Sequence, residues 1–557
     1  PLATTTVVPL YVHYNSNTTY HLNFGQKPFK FPPPDGFQLL NLANIRPDTM
    51  IARPDQFVKA TTYIGNGSSS QLIRTGMKPD LVWVKCRSND KWHALVDSVR
   101  GNSETLFSNS DTASVNESHI PSFTSNGFTV ADIDSGTANE NTFTYASWSW
   151  KAGGNKNTFN IDDVGYANAS DVGMNVGGNN SSVYNQDRVW SSSGVTLSNG
   201  GFDDPFANAF NGNSANRARS AADGPLMTIT FNPAVTISSS LFIQTESTYN
   251  AASYTYTATI DGTTYSQSDN YDTTFSQTGS LTQITIDNNN SLGRMYLELI
   301  KIDGRELVDS GVTPAINVPT IANTGASVGT KQGFSIVSWT GTGTAGTISH
   351  KLNTQPKFVI IKNIDTTSNW YCQHVGTGLG SGRLRLDTTD ATTNAYASTY
   401  WNSTAPDNNV FSIGDSAFVN GSGNNLIAYL WADVPGLQKF GSYFGTNNAD
   451  GPYVELGFKP AIVWAKRAVG GNGDWIIKDS TRYPANDDND GNTLVINVNK
   501  AEDDYYSAGQ VQMDILSNGF KLRHAGGPLN DSSSTYIYCA WAEAPTVNLY
   551  GAQSNAR

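Results

Sequence analysis

The sequence predicts an all-β protein made of tandem antiparallel β-sandwich domains of the jelly-roll type. Apolar runs such as PDLVWVK (79–85) and PAIVWAK (460–466) are too short for a typical helix and are rich in Val, Ile and Trp. Turn sequences such as SNG at 125–127 separate such runs, because glycine tolerates positive φ. A chain of 557 residues is too long for one core, so several domains are expected.

One eight-residue phrase occurs three times, as KPDLVWVK (78–85), QPKFVIIK (355–362) and KPAIVWAK (459–466). Similar landmarks surround each copy in the same order, which indicates three copies of one domain-sized unit. The landmarks are an upstream phenylalanine (Phe57, Phe334, Phe440), a downstream tryptophan (Trp92, Trp370, Trp475) and a closing-strand tryptophan (Trp148, Trp431, Trp541).

The tryptophans of the repeats are predicted to be core residues, because they recur at equivalent strand positions in the units. They are Trp83, Trp464, Trp148, Trp431 and Trp541. We expect each copy to fold around its own buried indoles. The repeated strand then carries no chemistry, and function is expected on the variable loops between the landmarks.

The second and third copies abut, whereas a long insertion separates the first from the second. Linker-like sequences flank that insertion, and its strands alternate and are joined by DG or Asn/Gly turns. The predicted order is a segment at 1–50, a first repeat at 51–152, a linker at 153–182, an inserted sandwich at 183–312, a linker at 313–330, a second repeat at 331–437 and a third repeat at 438–557.

The net charge of −12 without a basic cluster argues against nucleic-acid partners, and no apolar run is long enough for membrane insertion. The three cysteines, Cys86, Cys372 and Cys539, lie far apart and are predicted to be reduced core thiols. Because the chain begins at Pro1 rather than Met, we expect a portion upstream of it.

The inserted sandwich offers the side chains that sugar binding needs, namely aromatic faces with Arg and carboxylate groups beside them. The alternative is that the aromatic residues are core and that the arginines are solvated or pair with carboxylates. The candidate glycan-binding residues are Trp190, Phe202, Asp203, Asp204, Arg217 and Arg219.

No enzyme signature is present, and the glycine-rich stretches lack the context of a phosphate loop. We therefore predict a non-enzyme without a cofactor. The loop NDDNDGN at 486–492 is the candidate calcium site, with Asp487, Asp488 and Asp490 as oxygen ligands. A plain acidic turn explains the same residues without a metal.

Several motifs carry family resemblances. The stretch NAFNGN (208–213) resembles the AFDGN-type loop that follows the first strands of galactose-binding, discoidin-like sandwiches and often helps to hold a structural calcium, with Asn211 in place of the usual Asp. NFGQKPF (23–29) resembles the closing strand of SPRY-like domains. Together with IKIDGRELVDSG (300–311) and NLYGAQSNAR (548–557), the lectin-like repeats resemble tail fibres and tail-associated virion proteins of marine, cyanophage-like bacteriophages.

That resemblance implies a virion surface protein that binds host envelope glycans or surface proteins through exposed loops. It also implies other tail proteins as partners and a homotrimer. A purely structural tail or capsid-decoration protein is the alternative. A polysaccharide depolymerase is a third possibility, because a pair of catalytic acids can be assembled from distant residues.

Overall fold

The computed structural model describes residues 51–134, 136–176, 183–184, 188–213, 216–247, 254–289, 293–309, 318–483, 486, 492–506 and 509–543. The predicted all-β class is confirmed, because antiparallel sheets make up almost all regular structure. The SPRY-like segment at 1–50, the calcium candidates Asp487, Asp488 and Asp490, and the terminal motif at 548–557 lie outside the described residues.

The first unit is a sandwich of a large and a small sheet. Its strands are β1 (Val58–Ile64), β2 (Gln71–Arg74), β3 (Leu81–Cys86), β4 (His93–Asp97), β5 (Glu104–Phe107), β6 (Val115–Asn116), β7 (Ser122–Thr124), β8 (Gly127–Val130) and β9 (Thr144–Trp150). The large sheet has the order β1-β9-β3-β4-β5-β6, and the small sheet has the order β2-β8-β7. A 3-10 turn at Pro54–Gln56 precedes β1.

The segment expected to be a linker after the first unit contains two strands, β10 (Phe159–Ile161) and β11 (Val164–Tyr166), and a 3-10 turn at Ala169–Val172. Their hydrogen bonds explain why they are ordered. β10 pairs with β11, and it also lies parallel to the strand Asn323–Gly329, which was itself expected in the second linker. Both predicted linkers thus contribute strands to the sheet of the second unit.

The insertion forms its own two-sheet sandwich. Its strands are β12 (Val183–Tyr184), β13 (Gly194–Leu197), β14 (Phe202–Asp204), β15 (Ala218–Ser220), β16 (Leu226–Ile237), β17 (Leu241–Ser247), β18 (Tyr254–Ile260), β19 (Thr263–Asp269), β20 (Asp272–Phe275), β21 (Gly279–Asn288), β22 (Met295–Ile302) and β23 (Arg305–Leu307), with 3-10 turns at Trp190–Ser192 and Phe206–Phe210.

One sheet of the insertion has the order β12-β23-β22-β15-β14, with β17 bonded to β22 and β20 bonded to β17. The other sheet has the order β13-β16-β21-β18-β19. Alternating residues of YTYTATI in β18 are buried between the sheets, as expected for a strand with one core face. Asp261 and Gly262 both have positive φ and join β18 to β19, which confirms the predicted DG hairpin turn.

The second and third units repeat the two-sheet plan of the first. The second has β24 (Asn323–Gly329), β25 (Phe334–Thr340), β26 (Gly346–Ser349), β27 (Phe358–Asn363), β28 (Tyr371–His374), β29 (Leu384–Arg385), β30 (Val410–Ile413) and β31 (Asn425–Trp431), with helices α1 (Ala397–Trp401) and α2 (Ala417–Asn420) and a 3-10 turn at Val375–Thr377. The third has β32 (Gln438–Phe444), β33 (Tyr453–Glu455), β34 (Pro460–Val469), β35 (Trp475–Asp479), β36 (Leu494–Val495), β37 (Met513–Leu516), β38 (Gly519–Leu522) and β39 (Thr535–Ala542), with helix α3 (Gly527–Asn530).

The repeated phrase forms β3, β27 and β34, each of which lies beside the closing strand of its unit, β9, β31 or β39. Both faces of these phrase strands are buried. In β3, Val82 and Val84 belong to the core between the two sheets of the first unit, whereas Leu81 and Trp83 belong to a different core. Burial on both faces explains why the phrase is continuously apolar rather than alternating.

This different core is shared by all three units, so the expectation of a separate indole core for each copy was wrong. Trp150, Trp431 and Trp541 form a triangle at its centre, with ring centroids 6.2, 6.1 and 5.5 Å apart and edge-to-face geometry. Trp83 and Trp464 pack against each other at 5.0 Å in the same core. Each large sheet therefore turns the face that points away from its own small sheet toward the other two units, and the three faces exclude water together.

Strand register corrects two of the sequence landmarks. Trp150, not Trp148, lies opposite Leu81, as Trp431 lies opposite Phe358 and Trp541 opposite Ile462. The sequence SWSW offers two tryptophans two positions apart, and only the pairing distinguishes them. Likewise His93, not Trp92, lies opposite Lys85 and corresponds to Trp475, which lies opposite Lys466. The predicted core position of the five repeat tryptophans is confirmed by their burial.

A buried lysine ends each copy of the phrase and joins its unit to a neighbour. Lys85 donates to the backbone oxygen of Asn499, which lies in the third unit, at 3.2 Å. Lys362 donates to Asp111 O of the first unit at 3.3 Å, and Lys466 donates to Thr389 O of the second unit at 3.0 Å. These bonds close a ring of contacts around the shared core. Burial lowers the pKa of each lysine to about 8.

A second set of hydrogen bonds joins the units around the same shared core. The Tyr429 hydroxyl of the second unit donates to Asp97 of the first at 2.8 Å. The Trp148 indole of the first unit donates to Asp479 of the third at 3.0 Å. His374 Nε2 of the second unit lies 3.1 Å from Tyr538 O of the third. The three units are therefore connected pairwise by buried hydrogen bonds as well as by apolar packing.

The three cysteines are free and buried, which confirms their prediction as core thiols. No helix among the described residues is long and apolar enough to cross a membrane.

Candidate functional site

The structure brings five of the six predicted glycan-binding residues to one edge of the insertion. Phe202, Asp203 and Asp204 form the edge strand β14, and Arg219 lies on β15 next to it. Arg217 directly precedes β15. Because β14 pairs with β15, two short segments that are separate in the sequence become neighbours in one sheet.

A row of four side chains crosses this sheet from β17 to β14. Strand register places Glu246 opposite Tyr296, Tyr296 opposite Arg219, and Arg219 opposite Asp204. Directly opposed residues of antiparallel strands point to the same face, so the four side chains lie side by side. We call these four residues, Glu246, Tyr296, Arg219 and Asp204, the Arg219 row.

Ion pairs hold the charged groups at the β14 end of the row. Arg219 Nε lies 3.1 Å from Asp204 Oδ2, and its Nη2 lies 3.5 Å from Asp203 Oδ2. Arg294, which directly precedes β22, also pairs with Asp203. A hydrogen bond with Tyr296, together with the charges of Asp204 and Asp203, raises the pKa of the Arg219 guanidinium above its usual value. The side chains of these arginines and aspartates are about one-third exposed, so they are ordered by one another and still reach solvent.

The aromatic ring of the row is covered by a second arginine. The Arg217 guanidinium lies 4.5 Å from the centroid of the Tyr296 ring, a cation–π distance. Arg217 also lies 3.4 Å from Glu298 Oε1 and pairs with Glu246. The edge thus presents fixed donors on the arginines and fixed acceptors on the carboxylates around one tyrosine.

Trp190 does not belong to this surface. Its side chain is fully buried in the core of the insertion, where it packs against Tyr184 and Phe231. The Arg188 guanidinium lies 4.9 Å from its ring centroid. Trp190 therefore cannot stack on a ligand. Phe202 is half-buried against Phe206, so the structure places one of the two predicted aromatic residues in the core and the other at the rim.

Sequence reasoning missed Tyr296, Glu246, Glu298 and Arg294. These residues lie on β17 and β22, or directly before β22, some distance along the chain from Arg219, and only the pairing of β22 with β15 and β17 brings them to the site. The alternation within MYLELIKI (295–302) signals a strand but not which strand lies beside it.

The described residues contain no group of three or more His, Cys, Asp or Glu side chains that could hold a metal ion. In the loop NAFNGN, the Asn211 side chain accepts a hydrogen bond from the backbone of Asn213 at 2.9 Å and so stabilises its own turn. The calcium prediction at 487–490 stays a prediction, because those residues lie outside the described part.

Comparison with solved structures gives distant similarities to carbohydrate-active proteins. The carbohydrate-binding module CBM32 of AlyQ, in complex with 4,5-unsaturated mannuronic acid, is 18% identical, with 20% of this chain and 92% of that chain covered and a TM-score of 0.15. Truncated AlyQ with CBM32 and alginate lyase domains is 11% identical, with 42% and 95% covered and a TM-score of 0.15. The arabinofuranosyltransferase AftD from mycobacteria is 11% identical, with 63% and 34% covered and a TM-score of 0.16.

These scores are too low to carry an argument about function. A search of curated proteins found no match. A family model matches residues 53–176 and 308–545, which together contain the three units and leave out the inserted sandwich. Because these segments make up more than half of the sequence, the chain belongs to the family described as a domain of unknown function, DUF7483.

Proposed function

We propose that this chain is a non-catalytic glycan-binding protein and that the Arg219 row is its binding surface. The observation that carries the proposal is the alignment of Arg219, Tyr296 and Asp204 across three neighbouring strands. Sugars are recognised by donors and acceptors that match their hydroxyl groups and by an aromatic face that contacts their C–H surface. The arginines and carboxylates of the row supply the donors and acceptors at a partly exposed edge, and the half-buried Phe202 supplies the aromatic face, because Tyr296 is buried beneath Arg217.

The ion pairs of the site support binding rather than catalysis. Asp203 and Asp204 each pair with an arginine, so both carboxylates are placed to accept hydrogen bonds from hydroxyl groups. Because Arg219 contacts both aspartates and Tyr296, its guanidinium is already ordered before a ligand arrives. Ordering the groups in advance lowers the entropic cost of binding.

We further propose that the protein is a bacteriophage tail fibre or adhesin on the virion surface, with host envelope glycans or proteins and other tail proteins as partners. The support is the resemblance of the repeats and of the motifs at 23–29 and 300–311 to such virion proteins. A homotrimer is part of this proposal. Weak single sites become effective by avidity when several copies are displayed on one particle.

A glycan array probed with the full chain tests the proposal. The wild type is expected to bind a restricted set of envelope glycans, and Arg219→Ala is expected to weaken that binding at least about tenfold, or 1.4 kcal/mol. Arg523→Ala is the matched control, because Arg523 is also a partly exposed arginine paired with a carboxylate, Asp514, but lies in the third unit. Equal loss in both variants, or no loss in Arg219→Ala, would contradict the assignment.

A purely structural virion component is the second candidate, favoured by the closed three-unit core. Absence of binding to any array glycan or host cell, with the protein located in purified particles by antibody labelling, would support it instead. Release of reducing ends from host polysaccharide by the purified chain would establish a depolymerase and contradict the non-catalytic proposal.

A further inference from the structure

We propose a second ligand pocket, at the junction between the second and third units, that takes a neutral, hydroxyl-rich ligand such as a single sugar ring. It is an open cleft with a volume of about 500 Å³, within the range of small-molecule sites. Its walls include Thr389 from the second unit and Arg467, Asn472, Asp474, Tyr506 and Asp531 from the third. The site belongs to the three-unit scaffold and does not involve the insertion or the Arg219 row.

The two sides of this pocket are held together by the inter-unit bonds. Gly473 N donates to Thr389 O at 2.9 Å, and Ala391 N donates to Asn472 Oδ1 at 3.2 Å. The buried Lys466 donates to the backbone oxygens of both Thr389 and Gly473. Hydrogen bonds in the pocket wall therefore hold the second unit in place against the third.

The polar groups in the pocket are ordered by neighbours. Asp474 accepts hydrogen bonds from Asn497 Nδ2 at 2.7 Å and from the Tyr506 hydroxyl at 2.5 Å, and its residue is nearly buried. Arg467 pairs with Asp531, and its Nε lies 3.3 Å from the Tyr536 hydroxyl. Carboxylates and guanidinium groups fixed in this way offer hydrogen bonds in set directions without reorganising.

The charges of the lining select the class of ligand. Arg467 pairs with Asp531, and the charge of Asp474 is offset by the nearby buried Lys466, so the charges around the pocket balance and favour a neutral ligand over an ion. The groups that reach the cavity are mostly amide, carboxylate, guanidinium and hydroxyl, which an apolar ligand would leave unpaired. A hydroxyl-rich neutral ligand matches them, because each hydroxyl both donates and accepts.

An exposed aromatic residue adjoins the pocket. Tyr505 is 45% exposed, and its ring packs edge-to-face against Tyr506 with a centroid distance of 5.1 Å. Tyrosine faces at a polar pocket contact the C–H surface of a sugar ring. The combination of fixed polar groups and an accessible aromatic residue is the pattern expected of a saccharide site.

An ion pair crosses the equivalent junction between the first and third units, whereas the pocket junction has an Asn and an Asp at the corresponding positions. There Asp90 lies three residues before His93, as Asn472 lies three residues before Trp475. Asp90 accepts from Ala501 N at 2.8 Å and also pairs with Lys500 at 2.6 Å. At the pocket the corresponding residues are Asn472 and Ala391, and the residue before Ala391 is Asp390. An Asn and an Asp cannot form the ion pair that crosses the other junction.

The test is a calorimetric titration of the full chain with glucose, galactose and N-acetylglucosamine, in an Arg219→Ala background that disables the Arg219 row. At least one sugar is expected to bind with a Kd of about 1 mM. Asp474→Asn should weaken this binding at least about tenfold. Asp450→Asn is the matched control, because Asp450 is an exposed carboxylate of the same unit that pairs with Lys521. Gln510→Trp, which fills the pocket from its exposed rim, is the deciding variant if Asp474→Asn fails to fold.

The pocket is contradicted if no neutral sugar binds at up to roughly 50 mM. It is also contradicted if binding is unchanged in both pocket variants, or if Ca²⁺ alone binds in an Asp474-dependent manner and sugars do not. Loss of all sugar binding in the Arg219→Ala background would leave the proposed function intact and remove the second site. If the pocket still binds sugar and Arg219→Ala binds the glycan array as the wild type does, the second site stands and the proposed role of the Arg219 row is contradicted.

Discussion

Replacing Trp150 with alanine is expected to destabilise all three units, although Trp150 belongs to the first. Its indole contacts Trp431 of the second unit and Trp464 and Trp541 of the third, with ring centroids 6.2, 6.1 and 5.5 Å away. The residue is 1% exposed and lies where three sheets meet, so the cavity left by the mutation can close only if whole units move.

The magnitude follows from these contacts. A buried Trp→Ala change costs about 3–5 kcal/mol, and three edge-to-face ring contacts of about 1 kcal/mol each place Trp150 toward the upper end. Trp150 Nε1 has no hydrogen-bond partner among the described residues. Removing this buried N–H group therefore offsets about 1 kcal/mol of the loss in stability. We expect a loss of about 4 kcal/mol for Trp150→Ala and only about 1 kcal/mol for Trp150→Phe, which keeps a ring and removes the unpaired N–H.

Urea unfolding measures the loss, and hydrogen exchange shows where it occurs. Trp150→Ala should lower the protection of backbone amides in β9, β31 and β39 alike. Trp401→Ala is the matched control, because Trp401 is also fully buried with an unpaired Nε1 but lies in the core between the sheets of the second unit. Its effect should concentrate in that unit. If Trp150→Ala loosened only the first unit, the inference of one shared core would be refuted.

Three further outcomes are expected. Burial lowers the pKa of Lys362 from 10.5 to about 8, so the folded chain binds fewer protons than the unfolded chain between these values and this lysine makes the unfolding free energy rise with pH. Lys362→Met should therefore flatten the slope of stability against pH between 8 and 9.5, whereas an unchanged slope would contradict the assignment. In a double-mutant cycle, Tyr429→Phe and Asp97→Asn should show a coupling of about 1.5–3 kcal/mol across the junction of the first two units, and additive losses would mean that the bond is not formed. Burial raises the pKa of the thiols of Cys372 and Cys539 well above the usual range, so an aromatic disulfide reagent should label them only after unfolding, and rapid labelling of the native chain would contradict their burial.

The sequence by itself determined the class of the fold and the number of repeated units. Apolar runs of strand length with Val, Ile and Trp, and turns such as Asp261–Gly262, specify local backbone geometry through short-range sterics and burial. Threefold recurrence of one phrase identified the duplicated scaffold, and clustering of Asp203, Asp204 and Arg219 within a short stretch pointed to the edge that carries the candidate site.

Only the tertiary structure decided which faces meet. Nothing local in β3 distinguishes a strand buried within its own sandwich from one whose second face packs against two other units, because both need the same apolar residues. Strand register between segments far apart in the chain places Trp150, rather than Trp148, at the position equivalent to Trp431 and Trp541. It also places Tyr296 beside Arg219. Register is set by the summed burial of whole sheets, which no window of the sequence contains.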